Sequence, residues 1–228
     1  MTEKKRILFI SHHGTMSGAP ISLLTLMKHF AANRDWEFQV LMRKEGPLRS
    51  EFEKLAPTHV YYQHFLDPAD MRPEGAKRPP LPEDVRRRKF RQWRHEQRLR
   101  LKLRQFKPDL VYSNTTVNGD LLAKLGIKAP TLIHVRELWT TIALYNQVQL
   151  NAFKQPDYKY FAVSEFVRNY LKDTFSIAHE RIGIVPGSIE PEVFDKKAED
   201  LTVGEMRKEL ALPEDAVIIG GLGSVDSR

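Results

Sequence analysis

The sequence predicts a doubly wound α/β fold, in which a mainly parallel sheet carries helices on both faces. Short apolar runs such as residues 7–10 and 131–135 are typical of strands that are buried on both sides of a parallel sheet. Segments with apolar residues at helical spacing alternate with these runs along the chain. A length of 228 residues allows one substantial core of this kind.

The expected elements follow one another from the N-terminus. We expect strands at residues 7–10, 36–42, 59–63, 109–113, 131–135, 158–163, 181–185 and 216–222. We expect helices at residues 19–30, 48–55, 84–106, 121–125, 146–153 and 203–211. A further helix is expected after Ser164, whose hydroxyl is suited to cap it.

The chain is interpreted as one whole domain followed by the beginning of another. Residues 1–187 are expected to form a Rossmann-like domain, interrupted by an irregular proline-rich excursion at residues 66–83 before the helix 84–106. Residues 188–212 are interpreted as a connection. Residues 213–228 are interpreted as the first strand of a second domain that is otherwise absent, because a central strand needs neighbours on both sides.

A glycine-containing loop follows the first strand. Residues 11–18 are small and polar and lead into a helix, which places a helix N-terminus at the carboxyl edge of the sheet. Free N–H groups and the positive end of the helix dipole suit a phosphate there, and Gly14, Gly18 and Ala19 are the candidates to bind it. The alternative is that the two glycines only make a tight turn.

One segment makes the chain basic. Residues 86–104 hold ten Arg or Lys and one acid, so the remainder of a chain with net charge +7 is slightly acidic. A solvated face, a nucleic-acid site and a membrane surface are the three interpretations. No nucleic-acid-binding motif accompanies the segment, whereas Phe90, Trp93, Leu99 and Leu103 suit the headgroup boundary of an anionic membrane. The residues expected to contact the membrane are Arg86, Arg87, Arg88, Arg91 and Trp93.

Six phrases stand in order along the chain: ILFISHHGTMSGAPISLLTLM, KPDLVYSNT, TLIHVREL, YFAVSEFVRNYL, RIGIVPGSIEPEVF and VIIGGLGSVDSR. Together they resemble the family 4 retaining glycosyltransferases, which have the two-domain GT-B architecture. The resemblance covers nearly the whole chain. It departs from the family where Gly18-Ala19-Pro20 replaces a common Gly-Gly-Ala loop, and the proline-rich and arginine-rich segment belongs to no general family pattern.

The resemblance implies that this N-terminal domain binds the acceptor and that an absent C-terminal domain binds the nucleotide-sugar donor. It also implies a catalytic role for His134, which approaches the transferred sugar; the alternative is a core histidine with satisfied hydrogen bonds. Other polar residues at strand ends are candidates to bind the acceptor, although Arg136 and Glu137 have the alternative of pairing with each other. The acceptor-binding candidates are His13, Asn114, Thr115, Arg136 and Glu137.

Two functions of different classes remain open at this point. The first is the acceptor-binding half of a glycosyltransferase, inactive by itself, which uses a nucleotide-diphosphate sugar as co-substrate and a glycan or lipid-linked acceptor. The second is a non-catalytic Rossmann-like module whose basic helix docks a membrane or partner. We expect no tightly bound cofactor and no nucleic-acid partner. We also expect no metal, because no metal-ligand spacing occurs. With no cysteine and no membrane-spanning segment, the expected location is cytoplasmic, peripheral at the inner face of the cell membrane.

Overall fold

The computed structural model describes residues 4–62, 82–137, 142, 152–187, 202–213 and 215–219. Its sheet has seven strands in the order β3-β2-β1-β4-β5-β6-β7, and every neighbouring pair is parallel. The strands are β1 (Arg6–Ser11), β2 (Glu37–Lys44), β3 (Thr58–Tyr62), β4 (Leu110–Ser113), β5 (Thr131–Val135), β6 (Lys159–Ala162) and β7 (Ile182–Ile184). The predicted doubly wound α/β fold is confirmed.

The helices alternate with the strands, as the sequence predicts. They are α1 (Gly18–Asn33), α2 (Arg49–Leu55), α3 (Pro82–Phe106), α4 (Gly119–Leu125), α5 (Glu165–Phe175) and α6 (Val203–Glu209). Ser164 caps α5 by accepting a hydrogen bond from the Val167 amide at 3.3 Å. Gly126 ends α4 in the left-handed conformation, at φ 61°.

The helices bury both faces of the sheet because successive side chains of a strand point to opposite faces. Phe9 lies in a cluster with residues of α1 and α2, such as Met27 and Phe52. The adjacent Ile10 lies in a second cluster with residues of α3 and α4. A third cluster joins β5 and β6 to α5.

Several predicted elements differ from the structure or lie outside the described residues. Only residues 216–219 of the predicted strand 216–222 are described, and they have no strand conformation, so this strand stays a prediction. Val217 and Ile219 are 91% and 96% exposed there, so they lack the burial that a central strand needs. Most of the excursion 66–83, most of the helix 146–153 and residues 188–200 lie outside the described residues.

The chain forms two compact units, Met1–Ser188 and Ile189–Arg228. The first contains the whole sheet. In the second, α6 begins with a capping box, in which the Thr202 hydroxyl accepts from the Glu205 amide and the Glu205 carboxylate accepts from the Thr202 amide. Among the described helices, none has a stretch apolar and long enough to cross a bilayer. The predicted domain boundaries, after residue 187 and after residue 212, stay predictions.

Two glycines bring the loop after β1 against the loop after β2. The Gly14 amide donates to the Lys44 carbonyl at 3.1 Å, and the Leu48 amide donates to the Gly14 carbonyl at 2.8 Å. A Cβ on Gly46 would overlap the Gly14 carbonyl and lie 2.9 Å from the Thr15 amide. Gly14 therefore has a packing role, whereas a Cβ on Gly18 would meet nothing within 4 Å.

We expect Gly46→Ala to lower the free energy of unfolding by about 1–3 kcal/mol, because overpacking against backbone forces the two loops apart. Gly18→Ala is the matched control, and its free energy of unfolding should change by less than about 0.5 kcal/mol. Urea unfolding of the two variants and the wild type measures both values. Equal stability of the two variants would show that the loops separate without cost.

Candidate functional site

The candidate site lies at the carboxyl edge of the sheet, where β1 and β4 meet. Strand order reverses there, with β2 and β3 on one side of β1 and β4 to β7 on the other. In open parallel sheets this switch point is where ligands bind. The loops after β1, β4 and β5 converge at this edge, and they carry the polar residues that the sequence singles out.

The loop after β1 leads directly into α1. Ser17 precedes the helix in extended conformation, and its side chain makes no cap hydrogen bond; its hydroxyl instead lies 3.0 Å from the Thr15 hydroxyl. Gly18 is exposed at the first position of α1, and Ala19 is half-buried. The start of a 16-residue helix thus borders the site, with open space above Gly18.

Asn114 connects the end of β4 to β1 and α1. Its backbone amide donates to the Ile10 carbonyl at 3.0 Å, and its side-chain amide donates to the Ala19 carbonyl at 2.5 Å. Asn114 and Thr115 are fully buried, at 0% and 1% exposure. The Asn114 side-chain oxygen and the Thr115 hydroxyl have no protein partner among the described residues. Both are acceptors available to a hydroxyl that reaches this loop.

A buried ion pair between Arg43 and Asp120, which no sequence pattern predicted, supports the loop after β4. Arg43 donates to Asp120 with both terminal nitrogens, at 2.6 and 3.2 Å, and to the Val117 carbonyl at 3.2 Å. The two side chains are only 12% and 8% exposed. A bidentate pair of this kind joins β2 to α4 rigidly. The two residues are 77 positions apart, and no local motif connects them.

His134 is buried at 2% exposure, and both of its ring nitrogens contact protein atoms. The Tyr112 hydroxyl lies 2.6 Å from Nδ1, and an Arg136 terminal nitrogen lies 3.2 Å from it. Arginine is only a donor, so Nδ1 accepts and the proton sits on Nε2. Nε2 then donates to the Val185 carbonyl at 3.1 Å. The histidine thereby joins β4, β5 and the segment after β7.

The environment keeps this imidazole neutral. Burial lowers the pKa of His134 to about 4, and the nearby Arg136 cation contributes to the same direction. Burial raises the pKa of Tyr112 to about 12, so its hydroxyl stays protonated and donates to Nδ1. A neutral histidine with a defined tautomer results over the physiological pH range.

Arg136 and Glu137 follow β5 and diverge. Arg136 donates to the Ser22 hydroxyl of α1 at 2.9 Å, which fastens the helix to the end of β5. The Glu137 carboxylate accepts from the amides of Arg136 and Thr116, at 3.1 and 3.5 Å. Burial raises the pKa of Glu137, which backbone donors partly offset. The side chains of Arg136 and Glu137 therefore bond to other groups rather than to each other. The Glu137 carboxylate is not free, because backbone amides donate to it.

The two histidines of the first loop differ from each other. The rings of His12 and His13 lie 4.7 Å apart. Burial lowers the pKa of His12 to about 4, and the neighbouring His13 acts in the same direction. His13 is half-buried at the rim of the site. In the part of the chain that the structure describes, no three metal-ligating side chains come together.

The basic helix α3 has one face in the core and one in solvent. Leu99 and Leu103 are buried, at 2% and 3% exposure, so the prediction that they lie at a membrane boundary is wrong. They pack on β1 and α4 because they lie one turn apart on the inner face. Phe90 and Trp93 are 58% and 55% exposed. Of the predicted membrane contacts, Arg86, Arg87, Arg91 and Trp93 are exposed, and Arg88 is half-buried.

Comparison with known proteins gives one family match and several structures of similar fold. A family model described as Glycosyltransferase Family 4 matches residues 16–193, which is well over half of the chain. No curated protein matches the chain. Similar solved structures include HepE from Anabaena in complex with UDP, at 15% identity and a TM-score of 0.56, covering 90% of this chain and 50% of that one.

Two further structures show the same fold. Sucrose-phosphate synthase from Thermosynechococcus elongatus has 16% identity and a TM-score of 0.57, with 93% of this chain and 54% of that chain covered. The lipopolysaccharide outer core galactosyltransferase WaaB has 11% identity and a TM-score of 0.55, with 81% and 46% covered. This chain therefore spans about half the length of the structures that it matches.

The buried His134 predicts a loss of stability in mild acid. The unfolded chain binds the proton near pH 6.5 and the folded protein near pH 4, so stability is full above pH 6.5 and declines as pH falls toward 4. Between pH 7.5 and pH 5 the loss from this residue should be about 2 kcal/mol.

Urea unfolding of the wild type and His134→Gln at both pH values measures this contribution. The variant should lose about 2 kcal/mol less than the wild type over the interval, while His12 acts equally in both proteins. An identical pH dependence in the two proteins would contradict the burial of a neutral His134.

Proposed function

The chain belongs to glycosyltransferase family 4, and from that premise we propose that it is the acceptor-side half of a glycosyltransferase. The observation that carries the proposal is the family match over residues 16–193, which contains the loops after β4 and β5 and the whole of α1. A non-catalytic Rossmann-like module is the alternative, and the family match does not favour it. HepE was crystallised with UDP, which supports a nucleotide-diphosphate sugar as the donor.

We infer the following reaction. The bond between the anomeric carbon of the sugar and the nucleoside diphosphate breaks, and the acceptor oxygen forms a new bond to that carbon with retention of configuration. The acceptor hydroxyl loses its proton, and positive charge develops on the sugar. The acceptor is a glycan or a lipid-linked sugar. The donor would be bound chiefly by a second domain of the kind that makes up the other half of the matched structures.

The residues of this chain have distinct proposed roles. The start of α1, with Gly18 and Ala19, faces the donor phosphates, since helix N-terminal amides stabilise anions. Gly14 has only the packing role, because its amide is already bonded to the Lys44 carbonyl. His13, Asn114 and Thr115 bind acceptor hydroxyls, the last two through their unpartnered oxygens. Arg136 and Glu137 hold the loop after β5 against α1 and the Thr116 amide.

His134 is the proposed catalytic residue. Its neutral imidazole has a proton on Nε2, which donates to Val185 when no sugar is present. Exchanging that carbonyl for a sugar hydroxyl would let the Nε2 proton orient the transferred sugar, and the neutral ring would place no positive charge beside it. The alternative is that His134 only joins three strands of the core, and activity measurements distinguish the two roles.

The test is transfer from a panel of nucleotide-diphosphate sugars to glycan and lipid-linked acceptors. We expect the 228 residues alone to give no turnover, because the proposal assigns the donor to a second domain, and a protein that includes such a domain to be active. In the active protein, His134→Ala should lower kcat by more than about tenfold, or 1.4 kcal/mol of transition-state stabilisation. Proton NMR of the product would establish the anomeric configuration.

Tyr112→Phe and Tyr160→Phe are matched controls for this experiment. Tyr112→Phe removes only the hydroxyl that donates to His134, and Tyr160→Phe removes a buried hydroxyl that donates to the Phe153 carbonyl instead. Tyr112→Phe should reduce kcat and Tyr160→Phe should not. Normal kcat in a folded His134→Ala protein would assign the histidine to the core, and turnover by the 228-residue chain would refute the division of labour.

We also propose that the outer face of α3 attaches the protein to the inner surface of the cell membrane. This outer face is defined here by residues that share one side of the helix and are all exposed: Arg86, Arg87, Phe90, Trp93, Arg94, Arg98 and Leu101. The rings of Phe90 and Trp93 stack with centroids 5.8 Å apart. Exposed aromatic rings between arginines suit a headgroup boundary with anionic lipid.

The expected attraction is reversible. Each cation near an anionic surface contributes roughly 1 kcal/mol, so four or five of them contribute about 4–5 kcal/mol before any ring inserts. Screening within a Debye length of about 8 Å makes this attraction sensitive to salt. Arg88 is half-buried, so we replace it in the proposed membrane contact by Arg94 and Arg98, which are exposed.

Co-sedimentation with liposomes tests this contact. The wild type should sediment with anionic vesicles, and less of it at high salt, whereas a variant with Arg86, Arg87, Arg94 and Arg98 changed to Glu should stay in the supernatant. The control changes Lys28, Arg34, Lys159 and Lys172 to Glu, which alters net charge equally elsewhere. If both variants sediment alike, or if neutral vesicles bind the wild type as well, the outer face of α3 is only solvated.

A further inference from the structure

A second concave surface lies at the opposite edge of the sheet from the candidate site. It is a groove of about 530 Å³ between the ends of α3 and α4, where β1 and β4 begin, and we refer to it as the amino-edge groove. Its floor is apolar and includes Leu103, Leu125 and Ile127. Its charged residues are Arg6, Arg100, Arg104, Lys107, Lys128 and Asp109. The volume lies within the usual range of ligand pockets, roughly 300–1,000 Å³.

The amino-edge groove has more cations than its carboxylates neutralise. Arg6 is paired with Asp109, whose carboxylate accepts from the Arg6 side chain at 3.2 Å and from its backbone amide at 2.8 Å. Arg100 is paired with Glu96 at 2.6 Å. Among the described residues, Arg104, Lys107 and Lys128 have no carboxylate partner. Three positive charges therefore remain around one groove.

Helix ends do not account for this surplus. The C-termini of α3 and α4 both face the groove, and each carries roughly half a negative charge. Together they offset about one of the three cations. One carbonyl in the last turn of each helix is already bonded by a backbone amide: Lys107 donates to Leu103 at 3.1 Å, and Ile127 donates to Leu122 at 3.4 Å. A surplus of about two positive charges is left.

The walls of the groove are held in place before any ligand arrives. Arg100 donates to the Lys124 carbonyl and so fastens α3 to α4. Lys107 has a left-handed backbone, at φ 50°, where the chain turns from α3 into β4. The Arg6–Asp109 pair joins the start of β1 to the start of β4. A concave surface that is already formed loses less entropy when a ligand enters it.

We propose that the amino-edge groove binds a phosphate group carried on a small polar headgroup. A phosphate ester has a charge of about −1.5 to −2, which matches the surplus, and its oxygens suit arginine and lysine donors. The apolar floor suits the carbon part of the same molecule. The phosphate has two possible sources, a lipid headgroup in the membrane or a soluble phosphate ester. The inference is independent of the proposed transferase reaction.

Isothermal titration calorimetry at low salt tests the proposal with sn-glycerol 3-phosphate, inorganic phosphate and glycerol as probes. The wild type should bind sn-glycerol 3-phosphate and not glycerol. A variant with Arg104→Gln, Lys107→Asn and Lys128→Gln should bind it at least about tenfold more weakly, since it loses three phosphate contacts. Asparagine is chosen at position 107 because it tolerates the left-handed backbone.

The matched control changes Lys54, Lys159 and Lys172 to Gln, which removes the same charge from residues that do not line the groove. Binding that the control retains and the groove variant loses supports the proposal; equal affinity of the two variants, or no binding by the wild type, overturns it. Competition by phosphatidylglycerol vesicles, absent with phosphatidylcholine vesicles, assigns the phosphate to lipid. Binding that these vesicles leave unchanged assigns it to a soluble ester.

Discussion

The hydrogen bonds of Asn114 are the contact on which the candidate site depends. The backbone of this residue continues the pairing of β4 with β1, and its side chain holds the first turn of α1. The start of α1 therefore cannot move independently of the carboxyl edge of the sheet. A helix N-terminus stabilises an anion only if its amides stay in position, because the dipole acts over the first turn. One residue thus combines two functions: its backbone extends the sheet and its side chain holds the helix.

A second set of buried bonds surrounds His134 and extends this rigidity to β5 and β7. Tyr112, Arg136 and Val185 each contact the imidazole from a different segment of the chain. Burying the polar imidazole without hydrogen-bond partners would cost free energy, and these three partners offset that cost. The same contacts select one tautomer and keep the ring neutral. A catalytic histidine and a structural histidine would share these features, which is why kinetic measurements rather than geometry separate the two roles.

The basic charge of the protein is divided between surfaces with different physical surroundings. On the outer face of α3, arginines alternate with exposed rings above open solvent. At the amino-edge groove, cations surround an apolar concavity that helix ends and hydrogen bonds keep open. A flat charged face attracts an extended surface through many weak contacts, whereas a concave cluster selects a small anion. Both surfaces include residues of α3, and the groove begins near Arg100, where the outer face ends.

The sequence by itself determined the class of fold, the order of elements and the loops that carry the site, because apolar periodicity and glycine positions are local signals. It predicted β5 to the residue and the cap at Ser164. Only the tertiary structure decided which side chains meet. Ser22 and Arg136 are 114 positions apart, and Arg43 and Asp120 are 77 apart. Such contacts depend on strand order and register, which no local pattern encodes. The burial of Leu99 and Leu103 was decided in the same way, because an apolar helix face is buried only when a sheet lies against it.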